Sequence, residues 1–268
     1  MRCALHPPGK NAASPDDAGK APGMFTHSTA FYDKLYAARG KDYVAEATAI
    51  TALIRERVPS AKTFLDVGCG TGSHLAAFAA LGFDVRGIDA DLKMVALARS
   101  RVPHLTVDPA DMTDFDIGSR FDVVVSLFGS TGYARVRARL DATIARIAAH
   151  LAPGGIALVE RFLSFEEYRP GSVDSIFVDE PDLKIARMSV SKQMGKIAIL
   201  DFHYLVASLT GVERYFERHE IGLFGDAAYA SAFEKAGLSF ECVDVPHIAP
   251  DRSLYLGTHA TPASRANV

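Results

Sequence analysis

Apolar positions recur along this chain with two periods, and the switches between them lay out its elements. Phe64, Leu65 and Val67 form a short bulky cluster of the kind a buried strand carries. Leu75, Phe78, Ala79 and Leu81 then return at helical spacing, which predicts a helix over residues 73–81. The alternation continues. Residues 84–89 read as a strand, 92–101 as a helix with Met94, Val95 and Leu97 turned inward, and 105–107 as a short strand. Residues 121–128 are a near-continuous apolar run, as expected where both faces of a parallel sheet are covered. A helix over 136–151 is stopped by Pro153-Gly154-Gly155, and 156–160 supplies the fifth strand. Strands alternating with helices predict an α/β fold.

Other regions depart from this alternation. Residues 1–23 carry Pro7, Pro8, Pro15, Pro22 and several glycines with almost no bulky apolar residue, so a disordered tail is expected there. Residues 31–53 read as helix broken near Gly40, with Tyr32, Tyr36, Arg39 and Tyr43 clustered about the break. From 162 to 224 the helices vanish: 176–178, 184–192, 197–208 and 212–223 all read as strands, an antiparallel insertion. In 197–208, Ala198, Leu200, Phe202, Tyr204 and Val206 share one face. Asp201 and His203 share the other, which reads as facing solvent or ligand. A helix over 226–236 ends at Gly237. Segments 238–245 and 253–260 then close the sheet as a hairpin-like pair, before a short tail at 261–268. The expected units are thus a core at 24–161 completed by 225–260, with the β insertion at 162–224 between them.

Composition narrows the function. The chain has 268 residues, 49% hydrophobic and 23% charged, which suits a globular α/β domain with one elaboration. A net charge of −3 argues against a nucleic-acid partner. No apolar run approaches the roughly 20 residues a membrane span needs. Cys3, Cys69 and Cys242 have neither metal-site nor disulfide spacing, and Cys69 reads as a small buried residue. The expectation is a cytoplasmic enzyme without a metal and without a membrane.

The candidate chemistry lies where the first strand meets its helix. Asp66, Gly68, Gly70 and Gly72 alternate with single residues, so the backbone bends tightly and leaves room for a ligand. A dinucleotide-binding turn leaves two residues before its last glycine, to face a helix N-terminus to a pyrophosphate; that spacing is missing, which disfavours an NAD-dependent dehydrogenase. Asp89 ends the second strand, where a carboxylate can accept from both hydroxyls of a ribose. The alternative for Asp89 is a helix N-cap, a role Asp91 fills equally well.

The turn resembles motif I of class I S-adenosylmethionine-dependent methyltransferases. That resemblance implies a Rossmann-like, seven-stranded, mostly parallel sheet with an antiparallel last strand. It also implies S-adenosylmethionine as cofactor, held by Asp66, Gly68, Cys69, Gly70, Asp89, Ala90, Met94 and Ser126, with Asp111 and Met112 at the adenine. The early helices would lid the cofactor, with Tyr43 beside it and Arg39 on its carboxylate. More of the chain points further. Phe31-Tyr32-Asp33-Lys34-Leu35-Tyr36, Arg39-Gly40-Lys41-Asp42-Tyr43, residues 126–133 and the Asp201-Phe202-His203 run resemble the TDP-3-amino-sugar N,N-dimethyltransferases of macrolide biosynthesis, over residues 31–259. A nucleotide-sugar acceptor follows from that likeness. Tyr36, Tyr133 and Glu160 become candidates to orient the amine or take its proton; Tyr36, Phe162, Ser191, His203 and Arg252 become candidates to bind the sugar nucleotide. Arg161, Arg169, Lys184, Arg187 and Lys192 are further cations for a diphosphate. The run Glu160-Arg161-Phe162-Leu163 departs from the family, which carries Glu-Pro followed by aromatic residues. Methylation of another small molecule and cofactor binding without catalysis remain alternatives. The β insertion is a candidate homodimer face.

Overall fold

The computed structural model describes Phe25, residues 27–248 and residues 253–259. The tails expected at 1–23 and 261–268, and Arg252, lie outside the described residues. The chain enters through a 3-10 turn (Ser28–Phe31) and α1 (Tyr32–Ala38), bends at Gly40, and continues as α2 (Tyr43–Arg57). Asp42 caps α2 by accepting from the N–H groups of Val44 and Ala45, at 3.0 and 2.9 Å. Then follow β1 (Thr63–Val67), α3 (Ser73–Ala80), β2 (Asp84–Asp89), α4 (Leu92–Arg101), β3 (Thr106–Pro109) and β4 (Phe121–Ser126). A second 3-10 turn (Ser130–Ala134) leads to α5 (Arg137–Ala149) and β5 (Leu151–Glu160). The inserted strands are β6 (Val173–Glu180), β7 (Leu183–Met194), β8 (Ile197–Ser208) and β9 (Gly211–Gly222); α6 (Asp226–Lys235), β10 (Glu241–Val243) and β11 (Leu254–Thr258) complete the chain.

The main sheet has seven strands in the order β10-β11-β5-β4-β1-β2-β3. β1 to β5 pair in parallel, while β11 runs antiparallel to both β5 and β10. Both faces are covered. Phe64, Val123, Val125 and Leu158 pack with Ile50, Leu75 and Phe78 of the helices on one side. Leu65, Val67, Val124 and Val159 pack with Ile144, Ile147, Tyr229 and Phe233 on the other. That double burial is why β1 and β4 read as unbroken apolar runs.

Several boundaries differ from expectation, three of them near the site. The helix expected over 136–151 ends at Ala149, and the strand expected at 156 begins at Leu151. Leu151 pairs with Phe121 and Ile156 with Val123, so residues 152–155 bulge out of register. Pro153 lacks an N–H to give the ladder, and a bulge accommodates that. The strand expected to reach Phe128 stops at Ser126, because Phe128 turns into the left-handed region at φ 55°.

β6 to β9 form a separate four-stranded antiparallel sheet. Its inner face, including Ile176, Ile185, Phe202 and Tyr204, packs against Phe31 and Leu35 from the entry helices. Among the described residues no helix is long and apolar enough to cross a membrane.

Candidate active site

The carboxyl ends of β1, β2 and β4 open into a cavity walled on its far side by α1 and the four-stranded sheet. At the end of β1, Gly68, Gly70 and Gly72 hold φ values of 81°, 55° and 77°. A Cβ on Gly68 would lie 2.9 Å from Ser130 Cβ, so glycine is needed there to let β1 and the loop after β4 meet. A Cβ on Gly70 would meet nothing within 4 Å, and Gly70 borders the cavity.

Two carboxylates face this opening. Asp89 accepts from the N–H of Gly70 and of Asp91, each at 2.8 Å. Asp91 caps α4 by accepting from Lys93 and Met94. Capping therefore belongs to Asp91, and Asp89 is left to the cavity. Burial raises the Asp89 carboxyl above its ordinary value, partly offset by those N–H donors. Asp66 is 2% exposed. Its burial, and then the nearby charge of Asp89, push its pKa up to about 7. Such a site favours a ligand bearing positive charge and hydroxyl donors.

The rest of the wall is aromatic. Tyr32, Tyr36, Tyr43, Tyr133 and Tyr204 all reach the cavity. Burial above all pushes the phenols of Tyr32, Tyr43, Tyr133 and Tyr204 upward, so they are neutral hydrogen-bonding groups. His74, on the wall beside Tyr43, has Nε2 3.0 Å from Glu46 Oε2, which also takes Lys41 Nζ at 2.5 Å. The strained bend at Phe128 is tied by its N–H, which donates to Glu160 Oε2 at 2.6 Å. Lys41 Nζ stands 3.9 Å over the same ring.

Of the residues singled out from sequence, the cavity gathers Tyr36, Tyr43, Asp66, Gly68, Cys69, Gly70, Asp89, Ala90, Met94, Met112, Tyr133 and Phe162. Others stand elsewhere. Arg39 pairs with Asp174 at the edge of β6. Asp111 accepts from Thr113 and is bridged by Arg139 at 2.7 Å, while its neighbours Ala110 and Met112 line the wall. Ser126 donates to Val67 O at 2.9 Å and stitches β4 to β1. Glu160 holds the Phe128 bend from behind the wall. The Ser191 hydroxyl donates to Arg169 O and accepts from Ser172 N, each at 3.0 Å. His203 is exposed on the outer face of β8 beside Phe216, because the aromatic face of that strand, not the polar one, turns toward the cavity. Sequence reasoning missed Tyr204 and His219, and it named Arg187 only as one of several further cations for a diphosphate. All three line the wall. The signal for His219 was its spacing from Tyr215, Glu217 and Ile221, which puts all four on one face of β9.

A methyltransferase domain model matches residues 64–155, which span the glycine turn to the start of β5. A dTDP-3-amino-3,4,6-trideoxy-alpha-D-glucopyranose N,N-dimethyltransferase of Streptomyces venezuelae is 40% identical over 80% of this chain and 90% of its own length. The chain belongs to the dTDP-amino-sugar N,N-dimethyltransferase family. The solved structure of Streptomyces venezuelae DesVI matches with a TM-score of 0.82 at 38% identity, over 87% of this chain and 99% of that one. CalS10, an amino pentose methyltransferase from Micromonospora echinaspora solved with S-adenosylmethionine bound, matches with a TM-score of 0.78 at 33% identity, over 85% and 96%. The protein is an S-adenosylmethionine-dependent methyltransferase with the class I fold.

Its residues fit that cofactor. Gly70 leaves open space at the cavity that a nucleoside could occupy, and Asp89 beside it would offer its carboxylate to ribose hydroxyls. Asp66 adds a pH dependence. A cationic donor favours the ionised carboxylate, so affinity for S-adenosylmethionine should rise about tenfold as pH goes from about 6 to about 8, through the Asp66 pKa of about 7. Titration calorimetry across that range should show the rise in the native enzyme and its absence in Asp66→Asn.

Proposed function

We propose that this enzyme places two methyl groups on the amino nitrogen of a dTDP-linked 3-amino sugar, in the cytoplasm, as a step in antibiotic biosynthesis. The observation that carries the reading is one continuous cavity with two unlike halves. The half around Asp66, Gly70 and Asp89 is acidic and suits the donor. The half under the four-stranded sheet is aromatic and holds one buried guanidinium, that of Arg187. Arg187 is 3% exposed; it lies 4.2 Å over the Phe202 ring and 3.4 Å from Asp174 Oδ2. Its buried Nε has no hydrogen-bond partner. A buried donor without a partner is costly, and an oxygen-rich acceptor would satisfy it.

S-adenosylmethionine supplies an electrophilic methyl group on a sulfonium. The protein's task is to hold a neutral amine in line with it, and alignment carries most of the rate. Tyr36 and Tyr133 offer hydroxyls at the join between the two halves, and Phe128 edges onto Tyr36 with ring centroids 4.9 Å apart. These rings keep water out, which lowers the amine's pKa by desolvation. Incubation with the cofactor and dTDP-3-amino sugars, read by mass, should show two methyl groups added to nitrogen; no transfer to any of them would overturn the assignment. Arg187→Met should raise KM for the sugar nucleotide about tenfold while leaving cofactor affinity unchanged. A steady-state comparison checks it.

The outer face of the four-stranded sheet exposes Phe177, Met188, Leu205 and Phe216. We propose that two copies pair across it, since so much adjoining apolar surface is unusual for a monomer. Light scattering should give a dimer for the native chain and a monomer for Leu205→Asp.

A further inference from the structure

We infer that Tyr133, His219 and Glu217 form the route by which the acceptor nitrogen loses its proton between the two methyl transfers. The inference rests on the amino-sugar reading above. After one transfer the nitrogen is a secondary ammonium with no free electron pair, and a second methyl cannot be accepted until a proton leaves. The aromatic wall that excludes water also denies that proton a solvent acceptor.

Tyr133 and His219 both border the acceptor half of the cavity. Tyr133 Oη is 3.0 Å from His219 Nδ1. On the other side of the ring, His219 Nε2 stands 3.7 Å from Glu217 Oε2. Those two atoms are buried and have no hydrogen-bond partner otherwise. Facing each other, they need only a small closure to become one strong bond, as catalytic pairs do when a site fills. Glu217 is held rigid from behind. Its Oε1 accepts from the N–H of His27 at 2.6 Å and of Ser28 at 2.9 Å. Burial would raise this carboxyl, but His219 and those two N–H groups outweigh it and hold it at about 2, so it stays a carboxylate. The rings of Phe25 and Phe202, centred 4.8 and 5.2 Å from the imidazole, shield it from water.

The step balances. The ammonium N–H bond breaks and its electron pair returns to nitrogen. Tyr133 Oη takes the proton and passes its own to His219 Nδ1. The imidazolium so formed keeps its Nε2–H against Glu217, which stays ionised, and gives up the proton when product leaves and water enters. Other groups bear on this path. Tyr204 of β8 acts electrostatically on Tyr133, and Glu217 on Tyr204; Tyr36 of α1 and Asp89 of β2 act on Tyr133. Arg187 of β7 stacks on the Phe202 ring that touches His219. Tyr133 meets the substrate, His219 takes the proton, and Glu217 is a positioning residue.

The test resolves unmethylated, monomethyl and dimethyl sugar nucleotide by mass, at about pH 7 and about pH 9, with native enzyme, His219→Asn, Tyr133→Phe and Glu217→Gln. Native enzyme should give mostly dimethyl product at both values. His219→Asn should accumulate monomethyl product at the lower pH, with the second transfer slowed about 100-fold, and recover at the higher pH, where the amine loses its proton unaided. Glu217→Gln should show a smaller form of the same profile, and cofactor affinity should hold in all variants. A folded His219→Asn or Glu217→Gln with the native product ratio and pH profile would overturn the inference while leaving the amino-sugar reading intact. Native enzyme that methylates no amino-sugar nucleotide would overturn both.

Discussion

Asp89→Ala should weaken S-adenosylmethionine binding by at least about 100-fold, roughly 3 kcal/mol, as measured by titration calorimetry. The loss has two sources. The carboxylate that would accept from ribose hydroxyls disappears, and charge-assisted bonds of that kind are the strong ones. In addition, the Gly70 N–H loses the acceptor that fixes the glycine turn. Fold stability should move little. Removing Asp89 relieves its repulsion of Asp66, whose carboxyl should then titrate lower than in the native enzyme. Asp89→Asn should recover part of the loss by keeping an acceptor for Gly70. Unchanged affinity in the alanine variant, with a native circular dichroism spectrum, would show that the nucleoside is held elsewhere.

Gly132→Ala should cost about 2 kcal/mol of stability and lower turnover on the order of 100-fold. A Cβ at residue 132 would come within 2.5 Å of Ile221 Cγ2 and 3.5 Å of Phe162 Cβ. Ile221 is buried on the inner face of β9, so the 3-10 turn must give way, and that turn carries Tyr133. A displacement near 1 Å at a residue that aligns the amine is enough to lose about two orders of magnitude. Thermal melting reads the first effect and steady-state kinetics the second. Cofactor affinity should change far less, because the clash lies on the acceptor side. Adding Ile221→Ala should restore much of the turnover by removing the colliding methyl; a double variant no better than the single one would place the fault elsewhere.

Most of the residues read for the donor half stand at the cavity, whereas of the described residues read for the acceptor half only Tyr36, Tyr133, Phe162 and, among the cations, Arg187 do. Asp66, Gly68, Gly70 and Asp89 lie at the ends of strands whose bulky apolar runs declare themselves, and a strand's end fixes where its next residues can be. The inserted sheet offers no such anchor. Alternation along β8 separates Phe202 and Tyr204 from Asp201 and His203, but it does not say which set faces the ligand. The outer face was also partly apolar, with Met188, Leu205 and Phe216, so the usual cue of polar-out was weak. In β9 the run Glu213-Arg214-Tyr215-Phe216-Glu217-Arg218-His219-Glu220 is so charged that nothing in it marks Glu217 and His219 as buried. Glu160 was legible as important but not for its reason. It clamps a left-handed phenylalanine, and a backbone angle leaves no trace in hydropathy.

The inserted sheet leaves the core after Glu160 and rejoins it at Asp226, and those two points are neighbours: Arg161 Nε stands 3.3 Å from Asp226 Oδ1. A segment hung from adjacent points can be lengthened, shortened or exchanged at little entropic cost to the rest of the chain. Evolution can therefore retarget such an enzyme by grafting a different canopy onto an unaltered donor platform, and a protein engineer seeking new sugar specificities has a natural pair of splice sites at the same two positions.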